Sequence, residues 1–120
     1  MNFEILGTLE NLAINEFELS RILGIFLDNA IEAASSSKER KINFLISELK
    51  TKTTIELSNS YSAENLEISE IFEKGVSSKG KDRGLGLFKV KQILSKYPYI
   101  SLQTISNNNQ FLQKLVIPKS

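Results

Sequence analysis

The sequence predicts an α+β domain, a two-layer sandwich in which helices pack on one face of an antiparallel-rich mixed sheet. Three observations lead there. Short alternating segments come in consecutive pairs, Lys41–Leu49 with Thr53–Ser58 and Ile100–Ile105 with Phe111–Ile117, each pair joined by polar turn residues. Two stretches carry apolar residues at helical spacing and lie between the strand segments. The resulting order is short strand, helix, strand, strand, helix, strand, strand, which places hairpins edge to edge and helices on one side.

The elements follow from local chemistry. Phe3 and Ile5 alternate with polar neighbours, giving a short edge strand that turns near Gly7, and a second short extended piece is expected around Leu12–Ile14. Asn15 is a suitable N-cap, with Glu18 three residues on as the second half of a capping box, so a helix runs from Asn15 to Ser35. Its apolar face is Leu19, Ile22, Leu23, Phe26, Ala30 and Ala33, and Ile25 and Leu27 broaden it enough to expect cover on both sides. Asn29 sits at the border of that face. A carboxamide there is either satisfied by backbone or serves as an oxygen ligand for a hard cation.

The first strand pair turns at Lys50-Thr51-Lys52, with Asn59-Ser60 expected just past the strand's end, where a sheet can present a polar group. A short helix is expected from about Ser69 in the polar stretch Tyr61–Glu73. A flexible basic segment follows. Between Phe72 and Leu87 it carries Lys74, Ser77, Ser78, Lys79, Gly80, Lys81 and Arg83 and ends in Gly84-Leu85-Gly86-Leu87. Glycines let backbone N–H groups crowd an anion, and a helix N-terminus adds orphan donors and partial positive charge. The pattern is that of a phosphate cradle under a basic lid spanning about residues 73–83. With Val76 its main apolar anchor, the lid is expected to be unordered without a ligand. A second helix is expected over Gly84–Lys96, with Leu87, Val90, Ile93 and Leu94 inward and Pro98 beyond its end. Asn107-Asn108-Asn109 turns the last hairpin and Pro118 ends it.

Composition narrows the function. The 120 residues make one domain, and 41% apolar content suffices for a single core. A net charge of +1 gives no overall bias toward nucleic acid, so an anion site must be local. Absence of cysteine and histidine removes thiolate and imidazole chemistry and zinc sites built on either.

Two motifs then carry a resemblance. Leu27-Asp28-Asn29-Ala30-Ile31-Glu32-Ala33 resembles the N box of the GHKL (Bergerat-fold) ATP-binding superfamily, and Lys79-Gly80-Lys81-Asp82-Arg83-Gly84-Leu85-Gly86-Leu87 resembles its G2 box, with Phe72 as in the F box. The wording of both boxes is similar to the catalytic domain of Gram-positive peptide-pheromone (quorum-sensing and competence type) sensor histidine kinases, and the resemblance spans nearly the whole chain. It implies that ATP and Mg2+ are bound. Asn29 would hold Mg2+ on the phosphates. Gly80, Gly84, Leu85, Gly86 and Leu87 would present backbone to the nucleotide, and Lys79, Lys81 and Arg83 would reach the phosphates.

Three departures are visible. The family's Asp-x-Gly-x-Gly box is missing, and Asn59 stands near the aspartate's place, so weak nucleotide binding is expected through its side-chain carbonyl. Ile25 occupies the position of the hydrolytic members' glutamate, which fits a kinase better than an ATPase. Glu32 stands where many sensor kinases have lysine. No residue is assigned as catalytic. With no histidine to accept phosphate, the chain reads as one catalytic domain, residues 1–120, of a longer receptor whose sensor and dimerisation regions lie elsewhere. The implied partners are those histidine-bearing helices and a downstream response regulator. The implied setting is the cytoplasmic side of a multi-pass membrane receptor, dimeric as a whole and monomeric as this domain. The competing reading is a GHKL regulatory interaction module that no longer uses nucleotide.

Overall fold

A computed structural model describes residues 2–35, 37–61, 81–107 and 110–120, with 81–87 and 107 described by backbone alone. The elements in chain order are β1 (Asn2–Leu6), α1 (Glu16–Ser35), β2 (Ile42–Glu48), β3 (Lys52–Ser60), α2 (Lys81–Leu94), β4 (Ser101–Asn107) and β5 (Gln110–Pro118). They form one five-stranded sheet in the order β1-β2-β3-β5-β4, in which β1 runs parallel to β2 and every other neighbour is antiparallel. Both expected hairpins are present, and the sheet is mixed because β1 reaches its place through the α1 crossover. The short extended piece is present too, as a bridge between Leu12 and Lys119.

Register sorts the two faces. Thr53, Ile55, Leu57 and Asn59 of β3 share a face with Phe44 and Ile46 of β2 and with Phe111, Gln113, Leu115 and Ile117 of β5. That face is buried under α1 and α2, through Leu19, Ile22, Phe26, Ala30, Ala33, Val90 and Ile93. Fully burying one such aliphatic side chain contributes roughly 1.5–3 kcal/mol. Ala30 and Ala33 keep α1 close to the sheet where larger side chains would hold it off.

Several boundaries differ from expectation. β3 continues through Asn59 and Ser60, which pair with Phe111 and Gln110, so both lie inside the sheet and not past its end. Neighbouring strands on both sides extend the ladder where the sequence turns polar. α2 begins at Lys81, three residues before Gly84. A glycine weakens a helix by about 1 kcal/mol without ending it, so the glycines lie within the helix. Ile25 and Leu27 are half-buried against the core, while Gly24, Asp28 and Ile31 are exposed, so among the described residues α1 is covered on one side. The helix expected near Ser69 and the lid through Gly80 lie outside the described residues, as do the central residues of the last turn, 108 and 109.

The capping box at Asn15 is closed through a third residue. Asn15 Oδ1 accepts from the N–H groups of Phe17 (2.9 Å) and Glu18 (3.2 Å), as an N-cap should. Glu18 does not return to the Asn15 N–H. That N–H donates to the Tyr97 hydroxyl (3.3 Å), and the hydroxyl donates to Glu18 Oε1. Lys96 Nζ donates to Glu18 Oε2 at 2.9 Å. The start of α1 is thereby tied to the end of α2, and the two helices run antiparallel, Arg21 lying with Lys89 and Gln92 beyond the tie.

Two tests follow. Hydrogen bonds from Tyr97 and Lys96 hold the Glu18 carboxyl below its ordinary value of 4.5. A lowered carboxylate pKa stabilises the fold above the ordinary value, and the contribution is lost as pH falls through the lowered one. Urea titrations of the wild type and Glu18→Gln should differ near neutral pH and converge as pH drops below about 4; a gap that persists in acid contradicts the tie. Gly7 has φ +131, and a Cβ there would stand 2.2 Å from Glu48 Cβ. Gly7→Ala should therefore lower stability by about 2 kcal/mol or more, and an unchanged melting temperature would refute this.

Candidate nucleotide site

Three parts converge at one end of the helix layer. The first is the far half of α1. Its C-terminus is latched to β3 by buried hydroxyls, Ser37 Oγ lying 2.6 Å from Ser60 Oγ and donating to the Ala34 carbonyl at 2.8 Å. The Lys41 N–H donates to Ser60 Oγ at 2.9 Å and the Ser60 N–H to the Lys41 carbonyl at the same distance. Asn29 lies a turn and a half before Ala34, about 8 Å along the helix axis. It is half-buried, and its Nδ2 is enclosed with no hydrogen-bond partner among the described residues.

Leaving a buried donor unsatisfied costs about 1–3 kcal/mol. Backbone satisfaction of the Nδ2 group, one of the two readings of Asn29, is not what the structure shows. The other unpaired buried polar atom among the described residues is Thr53 Oγ1, at the opposite end of β3 from Asn59.

The second part is Asn59, 2% exposed on the helix-side face. Its Nδ2 donates to the Ser60 carbonyl at 3.0 Å. One of its two amide hydrogens is thus engaged, which leaves the other hydrogen and the side-chain carbonyl to meet a ligand. The third part is the start of α2. Because α2 runs antiparallel to α1 from the Tyr97 tie, helix rise brings the backbone of Gly84–Gly86 about level with Asn29. The side chains of Lys81, Arg83, Leu85 and Leu87 lie outside the described residues, as do Lys74, Ser77, Ser78, Lys79 and Gly80 entirely.

Several polar groups beside Asn59 escaped the sequence reading. Ser106, Phe111 and Asn59 form one row across the sheet, and Thr104, Gln113 and Leu57 form the next. Tyr61 Oη lies 2.6 Å from Ser106 Oγ, and Thr104 Oγ1 donates to Gln113 Oε1 at 2.6 Å. The signal was available: Gln113 occupies an inward position in an otherwise apolar alternation, Phe111, Leu115 and Ile117. The missing information was the register of the β4–β5 hairpin, which sets Thr104 opposite that glutamine.

The model of the GHKL domain family matches residues 14–118 of this chain. The chain belongs to the GHKL family. Sensor protein CitS of Bacillus subtilis is 38% identical to this GHKL domain over 74 residues, which are 61% of this chain and 14% of that protein's length. Among solved structures, the nucleotide-free catalytic domain of histidine kinase ThkA superposes with a TM-score of 0.72 at 24% identity, covering 98% of this chain and 78% of that one. The mycobacterial sensor histidine kinase MprB gives 0.65 at 19% identity, covering 98% and 81%. Full-length ShkA in complex with AMPPNP gives 0.64 at 18% identity, covering 98% and 26%. The fold is therefore that of histidine kinase catalytic domains, and the expected α+β architecture holds.

An enclosed, unpartnered amide has a thermodynamic signature. Replacing the unsatisfied amide by an apolar group of similar volume removes a desolvation penalty. Asn29→Leu should leave the free domain as stable or raise stability by about 1 kcal/mol, read by thermal melting. A loss of 2 kcal/mol or more would show that Asn29 is a structural residue of the core.

Proposed function

We propose that this GHKL domain is the catalytic and ATP-binding domain of a two-component sensor histidine kinase. The observation that carries the proposal is the enclosed, unpartnered Asn29 amide at the end where Asn59 and the start of α2 converge. The two ends of that carboxamide suit a metal–nucleotide pair, since Nδ2 can donate to a phosphate oxygen and Oδ1 is a hard oxygen donor of the kind Mg2+ prefers. Among the described residues no three acidic side chains gather as a metal site. Asn29 would therefore share a cation with ligand oxygens. The bound Mg2+ would neutralise phosphate charge during transfer.

The roles follow from the arrangement. Asn59 offers its carbonyl to the exocyclic amino group of adenine, without the charge an aspartate would add. The backbone at the start of α2 offers N–H groups to the phosphates, and Lys79, Lys81 and Arg83 supply positive charge to them. The chain's part in transfer is to hold the γ-phosphate in line for an incoming imidazole, a matter of positioning and charge. The chain has no histidine, so the acceptor belongs to another segment or chain. The likeness to CitS supports the sensor-kinase reading. The wording of the two boxes supports the peptide-pheromone type, a membrane receptor dimeric as a whole, and a response regulator as the downstream partner.

Calorimetric titration with a non-hydrolysable ATP analogue tests this. Binding should be weak, strengthened by Mg2+, and reduced at least about tenfold, or 1.4 kcal/mol, by Asn29→Ala. No binding at millimolar analogue by a folded domain would favour the regulatory-module reading, which the missing Asp-x-Gly-x-Gly box motivates. A full-length receptor carrying Asn29→Ala that autophosphorylated normally would exclude the kinase role assigned to Asn29.

A further inference from the structure

A second concave surface lies at the opposite end of α1 from Asn29. The segment after β1 crosses below the sheet and is pinned there, Leu12 bridging Lys119 and the Ala13 N–H donating to the Pro118 carbonyl at 2.9 Å. Between this segment and the first turns of α1 is an open cleft of about 530 Å3. Leu9, Leu12, Leu19 and Leu23 line it, and Glu10 and Glu16 stand on its rim. Leu9 is 38% exposed, and Phe17, on the adjoining stripe of α1, is 77% exposed.

Charge distinguishes this cleft from the other flank of α1. Glu10 and Glu16 are both exposed, and neither carboxylate has an ion-pair partner among the described residues. Glu18, on the first turn of α1, and Glu48, which accepts from the Thr8 N–H, are each paired, with Lys96 and Lys119. The other side of α1 carries Arg21, Lys89 and Lys96. Thus an apolar floor is edged by unpaired negative charge on one flank alone. A helix seated along α1 would fill the floor with side chains at i, i+3 and i+4 and set flanking cations against the two carboxylates.

We propose that this cleft docks a basic amphipathic helix of a partner protein, at a site separate from the nucleotide. The proposal does not rest on the nucleotide reading. Opposite charges at the rim would set partner choice and on-rate, and the leucines would supply the buried area.

The test uses two synthetic helices of about 18 residues, or five turns, with the same leucine face, one flanked by lysines and one by glutamates. Fluorescence anisotropy with the 120-residue chain should show the lysine-flanked peptide binding at least about tenfold tighter. Glu10→Lys with Glu16→Lys should remove that preference, and Leu9→Ser should weaken binding of the lysine-flanked peptide. Unchanged thermal melts would show that all variants fold. Equal binding of the two peptides, or no binding, overturns the proposal. So does self-association in sedimentation, or adsorption to phosphatidylcholine vesicles, that Leu9→Ser abolishes, since either would assign the cleft to a second copy or to lipid.

Discussion

The polar tie at Tyr97 sets the geometry of everything at the other end of the helix layer. One hydroxyl stands between the Asn15 N–H and the Glu18 carboxylate, and Lys96 adds a cation to the same carboxylate. An exposed ion pair of this kind contributes little by itself. Its value lies in direction, because the residues just after α2 are joined to the first turn of α1 while Arg21 lies with Lys89 and Gln92, so the helices run antiparallel. Ile93 and Val90 fill the interface behind the tie, and the start of α2 is delivered to the end of the layer that carries Asn29. The Ser37–Ser60 latch does the corresponding work for α1 and β3.

The polar groups along α1 therefore differ in how they are satisfied. At the tie and at the latch they are paired, and at Asn59 one amide hydrogen is engaged by backbone. At Asn29 the amide is enclosed and unpaired. A core optimised for stability alone would place an apolar residue there. An unsatisfied donor there suits the anionic ligand proposed above, which would complete the bonding that the fold leaves open. The cleft near Leu9 differs again, with an apolar floor and exposed carboxylates that have no ion-pair partner among the described residues, and the body of α1 separates the two surfaces.

The element order, the two hairpins, the apolar face of α1 and the capping role of Asn15 were legible in the sequence, because periodicity and local hydrogen bonding determine them. Asn29 and the Gly84–Leu87 run stood out for the same reason, as motifs on single elements. What the sequence alone could not decide was pairing across elements. Asn59 and Ser60 read as residues beyond a strand until β2 and β5 extended the ladder to include them. Glu18 read as half of a local capping box, and its partners turned out to be Tyr97 and Lys96, far along the chain. Gln113 was a polar exception in an apolar strand until the register of the last hairpin set Thr104 opposite it. Local propensity and pattern depend on neighbours within a few residues, so the sequence by itself determined the elements and their motifs. Which buried polar groups found partners, and which were left without one, depended on segments distant in the chain, and that only the tertiary structure decided.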